Sequence, residues 1–192
     1  MVDGKLDAKE LHFETTAKQK VKLLSQSQSI TSTAKGSFAN DKKAGFTFEA
    51  DVDPGDGSGE EHVTYREGKR KEGTDGHVRT EDMSETEARA YIMDLINDPS
   101  LGYNAKRVSK IEKTDTGYLV TMITSGHGYI GQVINATGAS YTSGEHTVEL
   151  VFEKGKIVAM NSEFSGKGNV SGNYGQSATL YFDGSWKVAF SD

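Results

Sequence analysis

Carboxylates are clustered between Asp51 and Glu61, where five of the eleven residues are Asp or Glu and three are Gly. Hard cations such as Ca²⁺ prefer several clustered oxygen ligands, so this run has the composition of a calcium site. An EF-hand loop beginning at Asp51 would need a ligand at its fifth position and glycine at its sixth, which here are Gly55 and Asp56. Because this register is wrong, we interpret the run as an acidic hairpin turn, with a calcium site as the weaker alternative, and predict no metal centre.

The five histidines do not have the spacing of a metal site, since no two of them follow the H-x-x-x-H pattern. Each lies among Gly, Glu or Thr on a predicted strand or turn, and we expect all five at the surface. His127 lies between two glycines, which would let a ligand approach the backbone closely. The chain has no cysteine, which excludes disulfides, thiolate metal ligands and cysteine nucleophiles. The histidines are His12, His62, His77, His127 and His146.

No motif of an enzyme stands out. The sequence lacks a nucleophile elbow of the G-x-S-x-G kind, and the glycine-rich run 166–172 lacks the G-K-[ST] ending of a P-loop. We therefore predict a protein that is not an enzyme and holds no cofactor. The net charge of −6 disfavours a nucleic-acid partner, because proteins that bind nucleic acid present basic surfaces.

The sequence carries no long apolar run. None of its segments has the length of a transmembrane helix, and its first residues lack the apolar core of a signal peptide. We expect membrane association only through a lipid anchor that this sequence does not contain. The expected location is extracellular or in the cell envelope, with the export signal removed, and the cytoplasm is the alternative.

One helix is predicted, over residues 84–97. Ser84 and Glu87 form an S-x-x-E capping box, which satisfies backbone N–H groups of the first helical turn. Asn97-Asp98-Pro99 then ends the helix, because proline disfavours the helical region for the residue before it. Behind the cap, one apolar face follows the helical repeat, formed by Ala88, Tyr91, Ile92, Leu95 and Ile96.

Most of the remaining sequence predicts antiparallel hairpins, seven to ten strands in all. Only 34% of the residues are hydrophobic and 22 are Gly, which favours many turns and strands with one solvated face. On the strand 45–53, Phe46 and Phe48 lie on one face. The predicted hairpins pair 25–38 with 45–53, 147–152 with 157–164, and 178–182 with 186–190 about the turn Asp183-Gly184.

We expect residues 1–14 to be a flexible segment and residues 15–192 to form a single β-rich domain. Within this domain, three segments have weaker sequence patterns. Residues 15–24 are compatible with a short helical stripe, and the glycine-rich segment 126–144 with a long loop or a poorly patterned strand. A second segment rich in Gly, Asn and Ser, 166–175, is predicted to be a turn region.

The order of these elements resembles the LolA/LppX-like family of envelope lipoproteins, particularly small lipoproteins of Gram-positive bacteria. The resemblance rests on polar N-terminal strands, a helix ending in an Asn-Pro region, the hairpin at 115–121, and the hairpin turned by Lys154-Gly155-Lys156. It implies a curved antiparallel sheet, a half-barrel, whose concave face is covered by helices and whose cleft holds lipid. It carries no catalytic residues.

We therefore predict an α+β fold: a curved antiparallel sheet with one main helix packed across a face. The predicted function is a non-enzymatic cell-envelope protein that binds a lipid or other apolar ligand between sheet and helix. The alternative is a protein-interaction or carbohydrate-binding module that uses the segments 126–144 and 166–175. The predicted ligand-binding residues are Tyr91, Ile92, Leu95 and Ile96 on the helix, with Phe46 and Phe48 on the sheet.

Overall fold

The computed structural model describes residues 9–74, 77–96, 107–125, 129–171 and 177–191, which form eleven strands and two helices. The strands make one antiparallel sheet in the order β6-β5-β4-β3-β2-β1-β11-β10-β9-β8-β7. Neither helix among these residues is long and apolar enough to cross a membrane. The elements are β1 (Glu10–Leu23), β2 (Gln26–Asp41), β3 (Gly45–Asp53), β4 (Glu61–Arg66), β5 (Lys69–Thr74), β6 (His77–Asp82), α1 (Glu85–Ile96), β7 (Val108–Lys113), β8 (Gly117–Ser125), α2 (Tyr129–Ala136), β9 (Ser140–Glu153), β10 (Lys156–Ser171) and β11 (Ser177–Ser191).

The chain divides into two compact units. Unit 1 comprises residues 1–16, 32–97 and 188–192, and contains β3 to β6 and α1. Its core follows the alternation of its strands: on β3, Phe46, Phe48 and Ala50 are buried while their neighbours are more exposed. Phe48 pairs with Phe38 of β2, so the hairpin expected here forms in register.

Unit 2 comprises residues 17–31 and 98–187, and contains α2 and β7 to β10. Its core cluster joins α2 to β10 and β11, and it includes Ile130, Ile134, Phe164 and Phe182. The hairpin of β9 and β10 pairs over its whole length, from Glu153 and Lys156 at the turn to Ser140 and Asn169. Helix α2 packs on this hairpin.

The antiparallel sheet and helix α1 are confirmed, and the strand count is higher than the seven to ten that the sequence predicted. Strand β1 begins at Glu10, inside the segment 1–14 for which the sequence predicts flexibility, and that flexibility stays a prediction. Leu11 and Phe13 of this strand alternate with exposed residues and are buried. The helical alternative for residues 15–24 is wrong, because β1 continues to Leu23. That residues 15–192 form a single domain stays a prediction.

Two further sequence predictions are corrected. The segment 126–144 contains helix α2 and the start of β9, where a loop or a poor strand was expected. Strand β11 runs without a break from Ser177 to Ser191, so Asp183-Gly184 is not a hairpin turn. Gly184 is needed there for space, because a Cβ would lie 2.7 Å from the Phe164 ring and even closer to the Lys18 carbonyl oxygen.

Candidate functional site under helix α1

Helix α1 begins with the capping box that the sequence predicts. The Ser84 backbone N–H donates to Glu87 Oε2 at 2.8 Å, and the Glu87 N–H donates to Ser84 Oγ at 3.3 Å. Hydrogen bonds from the Ser84 hydroxyl and backbone hold the pKa of Glu87 below its usual value. This cap fixes where α1 starts and therefore which of its residues face the sheet.

The strands beneath α1 carry a connected group of aromatic rings, which we call the aromatic platform. Successive ring centroids are 5.8–6.4 Å apart. Tyr91 of α1 stacks on Phe48 with centroids 5.5 Å apart and planes inclined by 16°. Stacked pairs of this kind add about 0.5–1.5 kcal/mol beyond the burial of their surface. The platform consists of Phe13, Phe38, Phe46, Phe48 and Tyr65.

Arg89 attaches one side of α1 to the sheet. Its Nη2 donates to Asn40 Oδ1 at 2.6 Å, and its Nε donates to Glu85 Oε1 at 2.8 Å. The guanidinium also lies over the Phe46 ring, 4.4 Å from the ring centroid. A cation over an aromatic face is attracted by the ring quadrupole, so Arg89 connects α1, β2 and β3.

Arg70 of β5 contacts the other side of α1. Its guanidinium lies 4.7 Å from the centroid of Tyr91 and forms ion pairs of 2.8 Å with Glu72 and Glu81. Burial raises the pKa of the Glu72 carboxyl, an effect that Arg70 opposes and the nearby Glu61 reinforces. Burial likewise raises the pKa of the Tyr91 hydroxyl. This side of α1 is therefore held by partly buried charges rather than by apolar packing alone.

The structure places the predicted ligand-binding residues in this region. On α1, Ile92 and Ile96 are fully buried, whereas Tyr91 and Leu95 are half-buried. On the sheet, Phe46 and Phe48 are buried, and ring contacts bring them together with Arg89 and Tyr91 of α1. That these six side chains line a ligand cleft stays a prediction.

Two grooves of unit 1 lie away from α1. They have volumes of about 770 and 430 Å³, and no residue of α1 lines either of them. The larger runs past Thr47 and Thr64, which alternate along their strands with buried residues, and past Lys71 of β5. Since Tyr91 stacks on Phe48 and the Arg89 guanidinium lies over Phe46, a ligand between α1 and these rings has to displace those contacts.

Helix α2 packs so closely on strand β10 that the positions facing it on β10 have no room for a side chain. A Cβ on Gly166 would come within 2.4 Å of Ile130 Cγ2, and a Cβ on Gly168 within 2.5 Å of Ile134 Cγ2. Since real Cβ contacts are longer than this, α2 fits only because β10 has glycine at both positions. There is no space for a ligand between α2 and these two glycines.

His146 is buried, so the expectation that all five histidines lie at the surface is wrong. Its side chain is within 2.7 Å of the Ser162 hydroxyl, and the two residues are 2% and 0% exposed. A histidine beside a serine is the arrangement of a nucleophile and its base, yet a serine with no exposed surface gives a substrate no access. The pair satisfies two buried polar groups between β9 and β10. His12, His62 and His77 are exposed, and His127 lies outside the described residues.

The acidic run forms turns, in agreement with the favoured interpretation. Asp53 accepts a hydrogen bond from the Gly55 N–H at 2.8 Å, and Asp56 accepts one from the Ser58 N–H at 2.9 Å. The contacts with Ser58 also lower the pKa of Asp56. Among the residues that the structure describes, no three His, Asp or Glu side chains are grouped as metal ligands. The carboxylates therefore act as turn formers here.

The two segments of the alternative hypothesis are largely regular structure. Residues 129–136 are helical, and residues 140–144 and 166–171 belong to the paired strands β9 and β10. Residues 126–128 and 172–176 lie outside the described part of the chain. A long glycine-rich loop over 126–144 is therefore excluded.

Comparison with known proteins gives similarities among solved structures but none in sequence. No protein-family model matches the chain, and no curated protein matches it. Among solved structures, the crystal structure of LprF from Mycobacterium bovis is similar to this chain with a TM-score of 0.44 and 8% sequence identity. The match covers 99% of this chain and 88% of that chain.

Proposed function

We propose that this protein is a non-enzymatic protein of the cell envelope that binds a lipid or other apolar ligand between α1 and the aromatic platform. The observation that carries the proposal is the platform itself: five buried rings in a connected series, of which Phe46 and Phe48 are contacted by α1. Aromatic and aliphatic surfaces of this kind bind apolar chains by removing them from water, at about 25 cal/mol per Å² before ordering costs.

In this proposal α1 is the movable cover. Only Ala88, Ile92 and Ile96 of its twelve residues are fully buried, and the contacts at its sides are made by the charged groups of Arg70 and Arg89. Partly exposed ion pairs contribute little net stability, so displacing α1 costs less than displacing a helix held by apolar packing throughout. Helix α2, which packs closely on Gly166 and Gly168 of β10, stays in place in this proposal.

The proposal is tested by looking for the ligand. The protein is purified from a Gram-positive host and examined by native mass spectrometry, and its organic extract is analysed for acyl chains. We expect a mass adduct that disappears on denaturation, and saturable binding of cis-parinaric acid after the protein is stripped. The absence of both the adduct and the probe binding would refute the proposal.

A matched pair of tyrosine variants locates the site. Tyr91→Ser removes the ring that stacks on Phe48, whereas Tyr118→Ser removes a tyrosine that is 51% exposed on β8. We expect Tyr91→Ser to weaken cis-parinaric acid binding by about tenfold, from the loss of more than 1 kcal/mol of contact, and Tyr118→Ser to leave it unchanged.

A further inference from the structure

Unit 2 has an open groove on the side of β10 that faces away from α2. Phe164 and Gly166 of β10 face α2 and the core, so Glu163 and Ser165 point to the opposite side. The groove has a volume of about 580 Å³. Its lining consists of residues 18–20 of β1, 29–31 of β2, 163–165 of β10 and 183–185 of β11, with Glu145 and Thr147 of β9. We call it the polar groove.

The polar groove crosses five neighbouring strands. In the sheet these strands follow one another in the order β2-β1-β11-β10-β9, so the groove runs across the strands rather than along one of them. Four interstrand spacings correspond to a length of about 19 Å. A smaller cavity of about 330 Å³ continues it, sharing Glu145 and Ser165 and adding Lys167 and Tyr181. This length suits an extended chain molecule better than a compact one.

Six charged side chains surround this surface, and they are not paired with one another. Among the described residues, none of them takes part in an ion pair within 4.0 Å. Three are positive and three negative, so the groove carries little net charge and would not select a polyanion or a polycation. The six are Lys18, Lys20, Lys167, Glu145, Glu163 and Asp183.

The hydrogen-bonding groups of the groove alternate in kind. Cross-strand pairs set Glu163 beside Thr147, and Glu145 beside Ser165. Ammonium groups donate, carboxylates accept, and hydroxyls do both. A polyhydroxylated ligand, whose every hydroxyl donates and accepts, can pair with such a mixture, whereas an apolar chain would leave these groups without partners.

Tyr181 supplies an aromatic surface at one end. It is 49% exposed and lies two residues from Asp183 on β11, so both side chains are on the groove side of the strand. An exposed ring offers a flat apolar surface to the C–H face of a sugar, while the neighbouring polar groups pair with its hydroxyls.

We infer that the polar groove binds a neutral oligosaccharide, with Tyr181 stacking on a sugar ring and Glu163 and Asp183 accepting bonds from sugar hydroxyls. This site is separate from the aromatic platform and uses the face of β10 that is turned away from α2. It takes in residues 143–144 and 166–167, the ends of the two glycine-rich segments. The inference does not depend on whether α1 covers a lipid.

The test is a titration of ¹⁵N-labelled protein with three neutral tetrasaccharides: cellotetraose, maltotetraose and chitotetraose. We expect at least one of them to cause saturable amide shifts in the strands of the polar groove. Tyr181→Ala is expected to weaken that binding about tenfold, and Glu163→Gln about threefold. Tyr118→Ala, which removes an equally exposed tyrosine outside the groove, is the matched control. Well-dispersed amide spectra confirm that each variant is folded.

Salt distinguishes the proposed ligand from a charged polymer. Raising NaCl from about 0.1 M to about 1 M shortens the Debye length from about 10 Å to about 3 Å, and binding of a neutral sugar should change by less than about twofold. The inference is overturned if none of the three sugars gives saturable shifts. It is also overturned if the Tyr118 and Tyr181 variants bind equally well, or if binding falls steeply with salt. Binding of cis-parinaric acid by Tyr181→Ala is expected to be unchanged. The oligosaccharide titration therefore tests the polar groove, and the binding of cis-parinaric acid tests the proposed lipid site, independently of each other.

Discussion

Replacing Gly166 by alanine should destabilise the protein, because α2 rests directly on this glycine. The added Cβ would lie 2.4 Å from Ile130 Cγ2 and 3.1 Å from Ile134 Cδ1, and both isoleucines are buried. Overpacking a close contact of this kind costs about 1–3 kcal/mol. Alanine also restricts the unfolded chain and so returns about 0.5 kcal/mol. The net loss in the free energy of unfolding should be about 0.5–2.5 kcal/mol.

Gly131→Ala is the matched control, since it adds the same methyl group to α2 itself. Its Cβ would lie 3.6 Å from the nearest atom of the Tyr141 ring, which is an ordinary contact. Alanine is favoured over glycine inside a helix by about 0.5–1 kcal/mol, so this variant should be more stable than the wild type. The two Gly→Ala changes should therefore act in opposite directions.

The assay is urea unfolding followed by circular dichroism and by the fluorescence of the single tryptophan, Trp186. A change in stability moves the midpoint without changing the slope. For a chain of 192 residues, each kcal/mol lost lowers the melting temperature by about 2–4 °C, so Gly166→Ala should lower it by about 1–10 °C. If this variant is as stable as the wild type, or if both variants shift the midpoint in the same direction, the close seating of α2 is refuted.

Four further predictions concern α1 and its ligand. Ser84→Ala should lower stability by about 1 kcal/mol in urea unfolding, because it removes the cap of α1; retention of full stability would contradict the capping role. The pKa of Glu87 is lowered in the folded protein, so its ionised carboxylate stabilises the fold above its unfolded pKa, and this stabilisation is lost as the pH falls through the folded pKa. The free energy of unfolding of Glu87→Gln should therefore change less with pH over that acid range than that of the wild type. The pKa of Glu72 is raised in the folded protein, which has the opposite effect on stability. The free energy of unfolding should fall as the pH rises from about 4.5 through the folded pKa, and Glu72→Gln should remove that fall. Finally, fatty acids of increasing chain length should bind more tightly, by at most about 0.8 kcal/mol per methylene, and calorimetric affinities independent of length would argue against an apolar cleft.

Helix α1 and the hairpin of β2 and β3 were predictable because their signals are local. A capping box, a helical apolar repeat and a proline stop lie within sixteen residues, and Phe46 and Phe48 alternate on β3. Helix α2 carries the same kind of signal in Ile130, Val133 and Ile134 at i, i+3 and i+4, but over only eight residues with a glycine among them. That short repeat could have identified the helix.

The role of individual glycines was not predictable from the sequence. Asp183-Gly184 has the composition of a hairpin turn, yet Gly184 serves close packing against Phe164 and Lys18 inside one long strand. Gly166, in a segment predicted to be a turn, likewise makes room for α2. Whether a glycine permits a turn or a close approach depends on residues distant in sequence. The same holds for His146, whose burial beside Ser162 depends on the pairing of β9 with β10.

The central claim, that an apolar ligand binds between α1 and the aromatic platform, can be tested by fixing α1 in place. Because the chain has no cysteine, Asn40→Cys and Arg89→Cys introduce a unique pair where α1 contacts β2, with polar atoms 2.6 Å apart in the native protein. A short bismaleimide joins the two thiols. The control joins Lys113→Cys to Tyr118→Cys, a directly paired position of β7 and β8.

The measurement is the binding of cis-parinaric acid before and after crosslinking. We expect the free double-cysteine variant and the crosslinked β7–β8 control to bind the probe, and the crosslinked α1 variant to lose at least about tenfold in affinity. Equal binding by the α1 variant in its free and crosslinked forms would contradict the account, because the ligand would then reach its site without any movement of α1.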